Sequence, residues 1–62
     1  MAAPTHVWER AQRYATDGKA MVCVIEQRRP WKPLQWRIVA KDNPTLRKYE
    51  TILGRVGPKE TP

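Results

Sequence analysis

Sixty-two residues and a net charge of +6 make a chain long enough for one domain and little more. It holds one cysteine, Cys23, one histidine, His6, and no serine, which excludes an internal disulfide framework, a tetrahedral zinc site built by one chain and Ser–His hydrolysis. A domain of this size buries roughly 60% of its unfolded surface, and a cleft of about 300 Å³ would hollow out most of its core, so size points away from a small-molecule enzyme.

Residues 1–4 lack the basic-then-apolar order of a signal peptide and are expected to be disordered. Thr5 can cap a helix running to about Thr16, since Val7, Trp8, Ala11, Tyr14 and Ala15 fall on one arc of roughly 120°. Gly18 then suits a left-handed C-cap. Asp17-Gly18 is also a favoured hairpin turn, which would make 7–15 a strand, but Glu9 to Arg13 are strong helix formers and favour the helix. Residues 20–27 are β-branched and apolar on both faces, as in a strand covered on two sides or facing a partner. Arg28 to Pro33 contains Pro30 and Pro33 and must be a loop. Leu34, Trp36, Ile38 and Ala40 alternate with Gln35, Arg37, Val39 and Lys41, the pattern of a half-buried strand with a basic outer face. Asn43-Pro44 reads as a helix start, and Leu46, Tyr49, Ile52, Leu53 and Val56 form a second apolar arc ending at Gly57-Pro58. Residues 57–62 are a polar tail. The expected fold is α+β, a single domain over 5–56 in the order helix–hairpin–helix (αββα). The alternative is a three-stranded antiparallel sheet with a C-terminal helix (βββα).

The charge is not evenly spread. Arg28, Arg29, Lys32, Arg37, Lys41, Arg47 and Lys48 face a single acid, Asp42, in the window 28–48, so 7 − 1 = +6 lies there and the remainder balances to zero. Trp31 and Trp36 share the window. Trp36 alternates with Ile38 and reads as core, as do Trp8 and Tyr14. Trp31 sits on a stiff Pro-flanked loop, where an indole either stacks on a base or folds back over the hairpin. Basic residues in such a ridge contact phosphates without reading sequence. Pro30-x-x-Pro33 after Arg28-Arg29 also matches a short proline-helix ligand.

In this order the chain resembles the W family of lambda-type phages, small head-to-tail joining proteins. The matching features are Gly18-Lys19 after the first helix, the strand–turn–strand, and Leu46-Arg47-Lys48-Tyr49 opening a second helix with Leu53 beyond. The resemblance implies a non-catalytic adaptor between portal and tail components. The hairpin loop is longer here, the first helix shorter, and the family's basic C-terminal tail is absent. Arg37-Ile38-Val39-Ala40, Asp42, Arg47, Leu53-Gly54 and Pro58 are similar to a segment of the sixteenth protein of the bacterial small ribosomal subunit. The interval from Arg37 to Leu53 is shorter than that family's.

The residues thus predict a non-enzymatic, basic nucleic-acid-binding protein, for DNA or RNA, acting through Arg28, Arg29, Trp31, Lys32, Arg37, Lys41, Arg47 and Lys48. The alternative is a phage-type protein–protein adaptor, or an inhibitor of a host protein, using strand 20–25 for a partner or for self-association. No catalytic residue, metal, cofactor, small-molecule substrate or membrane contact is expected. One cysteine and no long apolar run suggest the cytoplasm, of a host cell or carried by a virion.

Overall fold

A computed structural model describes residues 3–59. Residues 1 and 2 of the expected disordered N-terminus, and 60–62 of the expected tail, lie outside the described residues. The chain forms one helix and three strands, in the order α1 (Thr5–Gly18), β1 (Val22–Gln27), β2 (Gln35–Val39) and β3 (Glu50–Val56). The fold is α+β. Its second half departs from both expected orders, because residues 50–56 form a strand and the helix is N-terminal.

Helix α1 starts at Thr5, the expected cap itself, so the cap moves one residue earlier. Pro4 occupies the N-cap position with extended backbone, and its carbonyl accepts from the Val7 N–H at 3.0 Å. The C-terminus also shifts by one. Gly18 remains helical, and Lys19 takes the left-handed conformation at φ 49°. Lys19 N–H donates to Thr16 O and Ala20 N–H to Ala15 O, the two bonds of a Schellman cap. Val7, Ala11 and Ala15 form the buried stripe. The two alanines let the helix backbone lie close to the sheet. Trp8 packs directly over Gly54, where an added Cβ would meet its ring at 3.0 Å. Tyr14, expected in the core, is 52% exposed, because the stripe is narrower than its sequence arc.

The sheet is antiparallel throughout, with β1 at its centre and the order β2-β1-β3. Val22 and Val24 face the helix with Trp36, Ile38, Leu53 and Val56. Cys23 and Ile25 point the other way, yet they too are fully buried. Topology supplies their cover. β2 and β3 flank β1 on opposite sides and run in the same direction, so the connection 40–49 must cross the face away from α1. Cys23 Sγ donates to Lys41 O at 3.0 Å, and Pro44 is the buried residue of the crossing segment. The two-sided apolar character of β1 is therefore satisfied within the domain. The expected partner surface on strand 20–25 is occupied, and only Ala20 and Met21 of it are exposed.

The expected second helix fails for a physical reason. β3 carries a bulge, with Val24 opposite Gly54 and Ile25 opposite Ile52, so Leu53 is the extra residue. Ile52 lies opposite Ile25 while Leu53 packs on the helix side. Two adjacent apolar residues, then Val56, imitate a helical spacing. The W-type likeness rests on a second helix where the chain instead forms a crossing segment and a strand.

Candidate nucleic-acid interface

Two β-turns meet at one end of the sheet. The first follows β1, with Lys32 N–H donating to Arg29 O at 3.3 Å. Pro30 fills the second position of this turn, which suits its fixed φ, and Trp31 follows at the third. The closed turn is incompatible with an extended proline helix, so the Pro30-x-x-Pro33 ligand reading is set aside. The second turn precedes β3, with Glu50 N–H donating to Arg47 O at 3.1 Å. Tyr49 stands at its third position with φ 71°. That is the site of a type II turn which normally calls for glycine.

The turns are held side by side. Arg28 N–H donates to Tyr49 O at 3.0 Å, extending the β1–β3 ladder past Gln27 and Glu50. Across this join the Trp31 and Tyr49 rings meet edge to face, with centroids 5.4 Å apart. Lys48 Nζ lies 5.3 Å from the Tyr49 ring centre. Trp31 keeps 65% of its surface in solvent and Tyr49 39%. Strain of about 1–3 kcal/mol at a bulky left-handed residue persists only where the surroundings impose it. Here the Glu50 carboxylate imposes it. Its Oε1 accepts from Arg47 N–H at 2.7 Å, closing the turn a second time through the side chain.

The expected cations divide into three groups. Arg28, Arg29, Lys32, Arg47 and Lys48 all belong to these turns or adjoin them, around Trp31 and Tyr49. Arg28 Nε donates to Glu26 Oε1 at 3.2 Å; the glutamate side chain is nearly buried while Arg28 keeps 62% of its side-chain surface in solvent, so part of its charge is already answered within the domain. Arg37 is different. It stands midway along β2, opposite Ile25, and binds Glu50 through Nε at 2.7 Å and Nη2 at 2.9 Å. Its charge is neutralised by a fully buried carboxylate, so its role is structural. Lys41 lies beyond the far end of β2, where Arg55 donates to Asp42 O at 3.1 Å. Four residues of strand, about 13 Å, separate that end from the turns. The expected continuous ridge is thus a cluster of five cations and two aromatics, with Arg37 and Lys41 outside it.

Tyr49 is the member that sequence reasoning placed elsewhere, in the core of a helix. The signal that could have found it is Arg47-Lys48-Tyr49-Glu50 read as a turn before a strand. Among the described residues no three His, Cys, Asp or Glu side chains group as metal ligands, and no helix is long and apolar enough to cross a membrane. Comparison with protein families, curated proteins and solved structures finds no match.

Proposed function

We propose that this protein is a non-enzymatic nucleic-acid-binding module whose contact surface is the paired-turn end of the sheet. Arg28, Arg29, Lys32, Arg47 and Lys48 contact phosphates, and Trp31 offers its open face to a base. Tyr49 acts as a positioning residue, its ring fixing the indole from the side. One observation carries this reading: an exposed indole is braced by a strained tyrosine on two turns joined by the Arg28 N–H to Tyr49 O hydrogen bond, and five cations lie in or beside those turns. Ring faces presented this way accept any base, and the surrounding cations follow a backbone, which favours single-stranded segments or splayed loops over a closed duplex.

Fluorescence anisotropy with labelled single-stranded and duplex oligonucleotides across a salt series tests the reading. If all five cations reach phosphates, the log–log slope approaches about −3.5 for a single strand. Lys32→Ala and Lys48→Ala should each flatten it by about 0.7, whereas Lys41→Ala should leave it unchanged. Trp31→Ala should cost about 1–3 kcal/mol of affinity. Binding that ignores salt, or that falls equally for Lys41→Ala and Lys32→Ala, would refute the assignment.

A further inference from the structure

A second surface lies away from the turns. Helix α1 packs on β1 and β3, leaving Trp36 and Ile38 of β2 only partly covered. Between the helix and this strand runs a groove of about 340 Å³, lined by His6, Val7, Arg10, Tyr14, Trp36 and Ile38, with Arg37 at its border. His6, Arg10 and Tyr14 are spaced by four and form one ridge of α1. That ridge is about 12 Å long and β2 about 13 Å from Gln35 to Val39, so four or five residues of extended chain fit between them.

The groove is open along an unpaired backbone. β2 is an edge strand, and among the described residues no strand pairs with its outer side. The other edge, β3, is distorted by its bulge, a feature that discourages further pairing. β2 keeps a regular register from Gln35 to Val39. It therefore presents a row of donors and acceptors at strand spacing beside a partly apolar wall.

Charge selects the occupant. No carboxylate lines the groove, Arg10 makes no ion pair among the described residues, and His6 lies one turn away from it. A second copy of the chain would bring another +6 charge to the same edge. We infer that the groove binds an extended acidic peptide, which joins β2 as a fourth strand and sets carboxylates against His6 and Arg10 and an apolar side chain against Tyr14. Such strand addition takes affinity from main-chain hydrogen bonds and selectivity from alternate side chains. The surface uses none of the paired-turn residues, so it stands or falls independently of nucleic-acid binding.

The test is an amide NMR titration of the full chain with the peptide acetyl-Glu-Thr-Glu-Thr-Val-Thr-amide, which places both acids and the valine on one face. The expected result is saturable shifts at β2 and α1 residues lining the groove, with slowed exchange of alternate β2 amides. Arg10→Glu, an exposed helix position, should weaken binding by about tenfold, the scale of one screened charge reversal. The same peptide with lysine for glutamate should bind Arg10→Glu better than it binds the original protein. Trp31→Ala should bind the acidic peptide unchanged. The proposal is overturned if no shift saturates at millimolar peptide. Shifts gathering at 28–32 and 47–49, or β2 amides responding to protein concentration alone, as in self-association, would overturn it equally.

Discussion

The Arg37–Glu50 pair joins the fold to the proposed interface, and cutting it from either side should have unequal effects. The Glu50 side chain has no solvent exposure, whereas Arg37 retains 35%. Glu50 accepts two hydrogen bonds from Arg37 and one from Arg47 N–H. Arg37→Ala strands a buried carboxylate with a single donor, and by the usual cost of breaking such a pair it should lower stability by about 3 kcal/mol. Glu50→Gln leaves an arginine that can turn to water, so its cost should be nearer 1.5 kcal/mol, the lower end for a charge-assisted hydrogen bond. The pH dependence tests the pair further. The Arg37 guanidinium, by hydrogen bonding, holds the Glu50 carboxyl below the ordinary range against the opposing effect of burial, with Arg47 N–H assisting. A carboxyl lowered in the folded state contributes stability above its unfolded pKa and loses it as pH falls through the folded one. In Arg37→Ala the largest lowering influence is removed and burial is opposed by Arg47 alone, so the carboxyl rises and less stability is lost on acidification than in the original protein. Urea denaturation followed by tryptophan fluorescence from pH 7 to about 4 should show Arg37→Ala as the weaker variant at neutral pH, gaining on the original protein as pH falls. Equal losses at pH 7, or a gap to the original protein that does not move with pH, would refute the account of Glu50 as a buried charge held by Arg37.

Other substitutions probe the strained and crowded positions. Tyr49→Gly releases a left-handed penalty of about 1–2 kcal/mol but adds chain entropy and removes the contact with Trp31, so stability should change by no more than about 1 kcal/mol. Oligonucleotide affinity should fall in the same variant, and denaturation and anisotropy measured side by side would expose a merely structural tyrosine if both declined together. Lys19→Gly relaxes the helix cap and should raise stability by about 0.5 kcal/mol, read as an increase in the urea midpoint with an unchanged slope. Gly18→Ala meets nothing within 4 Å at the helix end and should stabilise by about 0.5–1 kcal/mol. Gly54→Ala drives a methyl to 3.0 Å from the Trp8 ring and should destabilise by about 1 kcal/mol or more. A thermal scan showing both alanine variants stabilised would mean that Trp8 does not rest on β3.

The first helix and the second strand were legible because each carries its own period, and the first strand because it is a short β-branched apolar run. Val7, Ala11 and Ala15 repeat at helical spacing, and Trp36 and Ile38 alternate as a strand requires. The third strand was not legible from its own residues. Pro44 after Asn43 looks like a helix start, but here Pro44 is a buried residue of the segment crossing β1. Ile52 and Leu53 look like one helical face, but a bulge sends them to opposite sides of a sheet. The information that decides between these readings is nonlocal and sits in β1. A strand apolar on both faces needs two covers, and α1 supplies only one. A second helix packed beside α1 would have left Cys23 and Ile25 facing water. A β3 that pairs with the far edge of β1 forces the connection 40–49 across that face and buries both.

The same topological step reorganises the charge. The concentration of cations in 28–48 is plain in the sequence, but its meaning depends on which of them the crossing segment carries to one place. Because the segment begins beyond the end of β2 and finishes at the start of β3, it leaves Lys41 at one end of the sheet and delivers Arg47 and Lys48 to the other, beside Arg28, Arg29 and Lys32. Arg37 is removed from the set by Glu50, a residue outside the basic window that sequence counting treats as unrelated. The paired turns follow from that exchange. Glu50 closes the Arg47–Glu50 turn through Arg47 N–H while Arg37 holds it down, and the closed turn forces Tyr49 into the left-handed conformation that brings its ring to Trp31. One cation is thereby neutralised to fix the paired turns that carry an exposed indole and gather five others in or beside them. A small basic domain without this arrangement would attract a polyanion but would have no rigid aromatic face to offer it.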